Sequence, residues 1–216
     1  MKIFVINLDK ATGRWENYED DERYTRWSAT HYDDLSHDHP IFKDMVSMWN
    51  INPNEHKAKC ACYLSHTNLW RYIVSNNIND VLILEDDAKL VGKIPDSSML
   101  PQDGFTYLGG LTFNTRLTDG SLSLKGVLTE GINKIDHSKY RMIMCLAIYI
   151  PHYSVAFKML QSAEERGRPR AIDVMLRETR RYNQYLLYPA PFIERPDKSQ
   201  IRKNKRKHSN EFYEWI

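Results

Sequence analysis

The chain has 216 residues, of which 42% are hydrophobic and 12% aromatic, and this composition indicates a packed core rather than disorder. The formal net charge is only +2, so no overall positive field favours nucleic acid as a partner. Three cysteines make no disulfide framework at this length, and no apolar run suits a signal peptide or a ~20-residue membrane span, so we expect a soluble, cytoplasmic protein.

Strand-like and helix-like segments alternate along the sequence. Strands are predicted at 2–8, 24–29, 81–87, 106–110, 142–150 and 185–187, and helices at 15–22, 60–76, 154–166 and 171–181. The strand at 106–110 is expected to end in a glycine turn, and a hairpin is one option within 111–139. The alternation predicts one α/β domain over 1–216 with a mostly parallel, mixed sheet and a basic tail over 200–216. The end at 214–216 would also suit a domain cut from a longer protein.

The strand predicted at 81–87 ends in three acids, Glu85, Asp86 and Asp87. Adjacent carboxylates repel one another, and such a cluster at the carboxyl end of a strand suits a cation that holds a diphosphate. We expect Asp87 to ligate Mn²⁺ or Mg²⁺ most directly, with Asp86 as a second ligand, while Asp86 or Glu85 reaches the ribose or a metal-bound water. The alternative is an acidic turn that binds no metal.

Several segments, taken in order, resemble one known family. They are Val-Ile-Asn-Leu-Asp at 5–9 with Arg14, Cys-Tyr-Leu-Ser-His at 62–66 with Leu69-Trp70, Ile-Leu-Glu-Asp-Asp at 83–87, Tyr-Leu-Gly at 107–109, and Ala-Ile-Asp-Val-Met-Leu at 171–176. Together they resemble the family 25 glycosyltransferases, which include lipopolysaccharide and collagen galactosyltransferases. Ala61 and Ala171 depart from the family's usual glycine and proline. Compact members also occur in large algal viruses, which would place such a protein in a host cytoplasm.

The resemblance implies a GT-A-like fold and the transfer of a sugar, with inversion, from a nucleotide-diphosphate donor such as a UDP-sugar. The acceptor would be a hydroxyl of a glycan or glycoprotein. Asn7 and Leu8, at the end of the first strand, would then bind the base and ribose, and Arg14 would lie along the diphosphate. A surface position is the alternative for Arg14.

Three further residues have roles implied by the same resemblance. Ser65 and His66 would hydrogen-bond the donor sugar or support the acidic strand, with a structural role as the alternative for His66. Asp173 would accept the proton of the acceptor hydroxyl. The alternative for Asp173 is an acid stabilised at a helix N-terminus. Ser65 and His66 do not suggest a hydrolase, because adjacent helix residues point about 100° apart and no Gly-x-Ser-x-Gly elbow is present.

Two other functions remain open from the sequence. A nucleotidyltransferase would also use metal-bound acids, but its glycine-rich, lysine-bearing loop is represented here only by Gly13 with Lys10 and Arg14. A non-catalytic nucleotide- or glycan-binding module would be supported by exposed tryptophans, for which Trp49 and Trp70 are the candidates. The spacing of Trp70 favours a core position. The basic run at 202–208 either closes over the diphosphate or is a solvated end.

Overall fold

The computed structural model describes residues 1–36, 53–114, 128–136, 140–165, 171–178, 181–195 and 214–215. The strands within these ranges are β1 (Lys2–Asn7), β2 (Tyr24–Ser28), β3 (Val81–Glu85), β4 (Ala88–Leu90), β5 (Gly104–Asn114), β6 (Gly131–Lys134), β7 (Tyr140–Ile150), β8 (Asn183–Tyr188), β9 (Phe192–Glu194) and β10 (Glu214–Trp215). The helices are α1 (Thr12–Trp15), α2 (Pro53–Ser75), α3 (Tyr153–Glu165) and α4 (Ile172–Glu178).

The strands form one mixed sheet in the order β2-β1-β3-β7-β5-β8-β6. β1 pairs in parallel with β2 and β3, whereas β7 lies antiparallel between β3 and β5. β8 is parallel to β5 and antiparallel to β6. At the other end of β5, β9 and β10 pair with it, and β9 also pairs with β4. The α/β class predicted from the alternating segments is therefore confirmed.

Apolar side chains cover both faces of the sheet. Along β1, Ile3 and Val5 join one core cluster and Phe4 and Ile6 the other. Burial on both faces explains why β1 reads as an unbroken apolar run instead of an alternating one. α2 and α3 pack against each other on the Phe4 side of the sheet. None of the helices in the described ranges combines the length and the apolar character that a membrane span requires.

Two predicted elements were wrong in detail. Of the helix predicted at 15–22, only Trp15 is helical, as the last residue of α1, and turns follow it. The amides of Tyr18 and Asp21 donate to carbonyls three residues earlier, and the Tyr18 side chain is buried. The glycine turn expected after 106–110 is absent, because β5 runs on through bulges at Gly109. A Cβ at Gly109 would lie 2.7 Å from the carbonyl oxygen of Phe192, so glycine allows β9 to approach β5.

The sheet topology gathers the carboxyl ends of three strands at one edge. In the parallel pairs, Asn7 lies opposite Ser28 and Ile6 opposite Glu85. The loops that follow β1, β2 and β3 therefore leave the sheet side by side. This is the edge at which open α/β sheets bind ligands.

Candidate active site

Asp86 lies in the turn that follows β3 and is only 8% exposed. Its Oδ2 accepts a hydrogen bond from Asn7 Nδ2 at 2.8 Å, and its Oδ1 accepts one from Arg14 Nη1 at 2.5 Å. Asp86 therefore joins the end of β1 to helix α1. Each carboxylate oxygen keeps a further lone pair, so the predicted contact of Asp86 with a metal or ribose stays a prediction.

Asn7 is fixed from its other side by an arginine of β2. The Asn7 side chain is 1% exposed, and its Oδ1 accepts a hydrogen bond from Arg26 Nε at 2.9 Å. The Nη2 group of Arg26 also donates to the carbonyl oxygens of Leu8, at 3.1 Å, and Asp9, at 3.0 Å. These bonds hold the loop after β1 in one conformation. Arg26 has no motif around it that would have identified it from the sequence.

Asp87 differs from Asp86 because one of its carboxylate oxygens lacks a partner. Among the described residues, nothing hydrogen-bonds to its buried Oδ1, and Arg14 Nη1 lies 3.8 Å from its Oδ2. Burial raises the pKa of Asp87 to about 8, with the negative charges of Glu85 and Asp86 acting in the same direction and Arg14 opposing them. A cation beside this carboxylate would offset both the cost of burying its charge and the repulsion from the neighbouring carboxylates.

Glu85 ends β3 and faces helix α2. Burial raises its pKa to about 8, assisted by the charges of Asp86 and Glu194 and opposed by Arg14. Its Oε1 lies 3.4 Å from Nε2 of His66, which is 1% exposed. Burial lowers the pKa of His66 to about 4, so its imidazole is neutral at neutral pH.

Asp173 lies in the first turn of α4, on the side of the site where His66 and Cys62 are found. Its carboxylate acts on the pKa of both side chains: it opposes the lowering caused by burial at His66 and adds to the raising caused by burial at Cys62. The structure thus brings Asp173, more than 80 residues away in sequence, within electrostatic reach of the residues around Glu85. Its position in the first turn also fits the alternative role at a helix N-terminus.

A cleft lies at the carboxyl ends of β1 and β2. Its volume is about 240 Å³. It is lined by Leu8, Asp9, Lys10, Ala29, His31 and Asp34. Leu8 thus contributes to the cleft wall directly after Asn7 in the chain, and its contact with a base or ribose stays a prediction.

A comparison with models of known protein families identifies the family of this chain. The family model described as glycosyltransferase family 25 (LPS biosynthesis protein) matches residues 1–111, just over half of the chain. The chain belongs to glycosyltransferase family 25. It is a glycosyltransferase with a GT-A-like fold, and its reaction uses a sugar donor and an acceptor. A comparison with curated proteins found no match.

The family match covers all the predicted site residues of this glycosyltransferase except one. Asn7, Arg14, His66 and Asp87 all lie within residues 1–111, whereas Asp173 lies beyond them. The role of Asp173 as a base therefore stays a prediction.

Ser65 supports a loop of the enzyme. It is buried, its Oγ donates to the carbonyl oxygen of Ala61 at 2.7 Å, and it accepts a hydrogen bond from the amide of Thr30 at 2.9 Å. These bonds attach the segment after β2 to helix α2. The contact of Ser65 with the donor sugar stays a prediction.

Arg195 and Tyr18 also adjoin the acidic turn, although no sequence motif pointed to them. The amide of Arg195 donates to the carbonyl oxygen of Asp87 at 2.7 Å, and its guanidinium lies 5.7 Å from the centre of the Tyr18 ring. The Tyr18 hydroxyl donates to the carbonyl oxygen of Ala88. Burial raises the pKa of Tyr18, so this hydroxyl remains protonated and keeps the turn in place.

The remaining predicted features are of two kinds. Trp70 is 0% exposed and belongs to the core, so it does not provide a sugar-binding surface. Trp49 and the basic run at 202–208 lie outside the described residues.

The donor atoms around Asp87 fit a hard divalent cation. Asp87 and Asp86 offer carboxylate oxygens, which are the ligands that Mg²⁺ and Mn²⁺ prefer. The unpartnered Oδ1 of Asp87 is the observation that favours a bound ion. Buried polar atoms without partners are rare in folded proteins, and a cation is one kind of partner that a buried carboxylate oxygen can take.

Proposed function

We propose that this family 25 glycosyltransferase transfers a sugar from a UDP-sugar to a hydroxyl of a glycan acceptor, with inversion, and that Asp87 holds Mn²⁺ or Mg²⁺ for the reaction. The buried, unpartnered Oδ1 of Asp87 supports this proposal most strongly. Asp86 is a less available ligand, because both of its oxygens already accept hydrogen bonds from Asn7 and Arg14. Asp87 is therefore the main ligand.

The ion would supply Lewis-acid stabilisation of the negative charge that develops on the leaving diphosphate. Arg14 adds a second positive charge at the same place. Its Nη1 lies 2.5 Å from Oδ1 of Asp86 and 3.8 Å from Oδ2 of Asp87, so its guanidinium stays beside the proposed metal ligands. A guanidinium held in this way can bind phosphate oxygens with little loss of side-chain entropy.

The nucleoside would occupy the cleft at the ends of β1 and β2. The volume of about 240 Å³ suits the base and part of the ribose rather than a whole nucleotide sugar. The hydrogen bonds from Arg26 fix the loop of Leu8 and Asp9 that forms one wall of the cleft. This orients the diphosphate towards Arg14 and Asp87, because both lie at the same sheet edge.

The acceptor would approach from the side of α4. For inversion, a carboxylate must take the proton of the acceptor hydroxyl as that oxygen attacks the sugar carbon from the face opposite the leaving group. Asp173 is the candidate, since it starts α4 and interacts electrostatically with His66. His66, neutral and buried, would exclude water from this side of the site.

A donor panel tests the proposal. Purified protein is incubated with UDP- and GDP-sugars, with and without Mn²⁺, and the released nucleoside diphosphate is measured. We expect metal-dependent release from a UDP-sugar, its loss in Asp87→Asn, and its retention in Asp103→Asn. Asp103 is a suitable control because it is an exposed carboxylate that hydrogen-bonds Asn183 and Tyr185, on another part of the sheet.

Two results would contradict the proposal. Full turnover in the presence of EDTA would show that no divalent ion is needed, and unchanged turnover in Asp87→Asn would remove its proposed ligand. The anomeric configuration of the product, read by NMR, tests inversion separately. Retained configuration would refute the role given to Asp173 and leave the donor and metal assignments standing.

A further inference from the structure

Three potential ligands of different chemistry meet between α2 and the end of β3. They are Cys62, His66 and Glu85, and their ligand atoms all lie within 4.8 Å of one another. Cys62 and His66 are four residues apart on α2, so they project from the same face of that helix. That face lies against the carboxyl end of β3, where Glu85 is the last residue.

His66 shows that this cluster is incomplete by itself. It is 1% exposed, and neither of its ring nitrogens has a hydrogen-bond partner among the described residues. Leaving a polar group buried and unpaired costs about 1–3 kcal/mol. Its Nε2 nevertheless lies only 3.4 Å from Glu85 Oε1. Two ligands of one tetrahedral zinc ion, each about 2.0–2.2 Å from the metal, are separated by about the same distance.

The charges of the cluster also suit a divalent ion. A Cys62 thiolate and a Glu85 carboxylate together carry two negative charges, which would cancel those of a dication bound with neutral His66. A neutral centre is far less costly to bury than an isolated carboxylate. Cys62 is a free thiol, so its sulfur is available for ligation.

We propose that Cys62, His66 and Glu85 bind a zinc-class divalent ion, at a site separate from the Mn²⁺ or Mg²⁺ site proposed at Asp87. Thiolate and imidazole ligands select zinc-like ions over Mg²⁺ and Mn²⁺. The fourth coordination position is left for water or for a carboxylate from the side of α4. The ion would fix α2 to the end of β3 and so hold the acidic turn. The proposal does not depend on the identity of the sugar donor.

Cobalt provides a direct test, because a thiolate bound to Co²⁺ gives a near-ultraviolet charge-transfer band and tetrahedral Co²⁺ absorbs strongly in the visible. The full chain is stripped with EDTA and titrated with Co²⁺, and Zn²⁺ is then added in competition. We expect a charge-transfer band that saturates at one equivalent of Co²⁺ and disappears when Zn²⁺ displaces the cobalt. Cys62→Ser and His66→Gln should weaken binding by at least about 100-fold, since even the loss of a second-shell partner costs about 10–100-fold.

Two control variants make the test specific. Cys60→Ser removes a buried thiol of the same helix that is not among the three ligands, and should keep the cobalt band. Asp87→Asn should also keep it while losing metal-dependent nucleotide binding, so that failure of one site is distinguishable from failure of the other. Circular dichroism verifies that each variant is folded.

Three outcomes would overturn the proposal. Cobalt binding without a charge-transfer band would show that Cys62 is not a ligand. An unchanged band in Cys62→Ser would assign it to another thiol. Absence of stoichiometric binding by the folded wild-type chain would mean that the three side chains form a hydrogen-bonded cluster only.

Discussion

Asp87→Asn should make the metal-free protein more stable at alkaline pH, although Asp87 is assigned to metal binding. Burial and neighbouring negative charges raise the folded-state pKa of Asp87 from 3.8 to about 8. In the wild-type protein, the Asp87 carboxyl therefore ionises at lower pH in the unfolded chain than in the folded one. The free energy of unfolding falls as the pH rises from about 4 to about 8. The variant lacks the Asp87 contribution, because its amide does not ionise, whereas Glu85, whose pKa is also raised to about 8, lowers the stability of both proteins over a similar pH range.

The size of the effect follows from the same pKa. The rise in the pKa of Asp87 from 3.8 to about 8 lowers the free energy of unfolding at high pH by at most about 6 kcal/mol, because each pKa unit is worth about 1.4 kcal/mol. The variant still buries a polar amide, at a cost of about 1–3 kcal/mol. We therefore expect a net gain of at most about 3–5 kcal/mol at about pH 8.5, where Asp87 of the wild type is ionised, and a net loss of about 1–3 kcal/mol at about pH 4.5, where only the cost of the amide remains.

Urea denaturation of the EDTA-treated proteins at several pH values measures this difference. His66, whose pKa is lowered to about 4, makes both proteins less stable as the pH falls below about 6.5, and this contribution cancels in the comparison. Asp103→Asn is the control with the opposite sign, because hydrogen bonds from Tyr185 and Asn183 lower the pKa of Asp103. A pH-independent difference, or a loss of stability in Asp87→Asn at about pH 8.5, would refute the assignment of Asp87 as a carboxylate that needs a cation.

Two further variants test the framework of the site. Asp86→Ala should lower the free energy of unfolding by about 2–3 kcal/mol, because it leaves the half-buried Arg14 without the carboxylate that it contacts at 2.5 Å. Asp86→Ala combined with Arg14→Met should recover part of this loss in a double-mutant cycle, and additive effects would contradict the pairing. Gly109→Ala should lower the melting temperature, since its Cβ would lie 2.7 Å from a carbonyl oxygen of β9. Gly13→Ala is the control, because its Cβ would enter open space and should not change the melting temperature. Equal effects of the two substitutions would disprove the close approach of β9.

The sequence predicted the parts of this site that depend on single strands. An apolar run that ends in three acids is visible in the letters, and the resemblance to family 25 assigned Asn7 and Arg14 to the same site. Arg26 and Arg195 could not be found in this way. Arg26 reaches Asn7 only because of the register of β2 against β1, and Arg195 reaches Asp87 only because β9 pairs with β4.

The differences in secondary structure have a similar origin. Residues 15–22 have a helical composition, yet tertiary packing of Tyr18 under the acidic turn favours turns there. The short strands β4 and β9 contain three residues each, too few for a periodic signal, and they form because they pair with each other. Long-range pairing therefore decided what local sequence patterns could not.

The most direct test of the metal assignment is calorimetric titration of UDP into wild type and Asp87→Asn, each with Mn²⁺ and with EDTA. We expect UDP to bind the wild-type protein only when the metal is present. In the variant, the affinity for UDP should fall by at least about 100-fold, because even substitutions of residues that only support metal ligands cost about 10–100-fold. The variant should be at least as stable as wild type, so unfolding would not explain that loss. Equal, metal-dependent affinity in both proteins would contradict the claim that Asp87 holds the ion that binds the diphosphate.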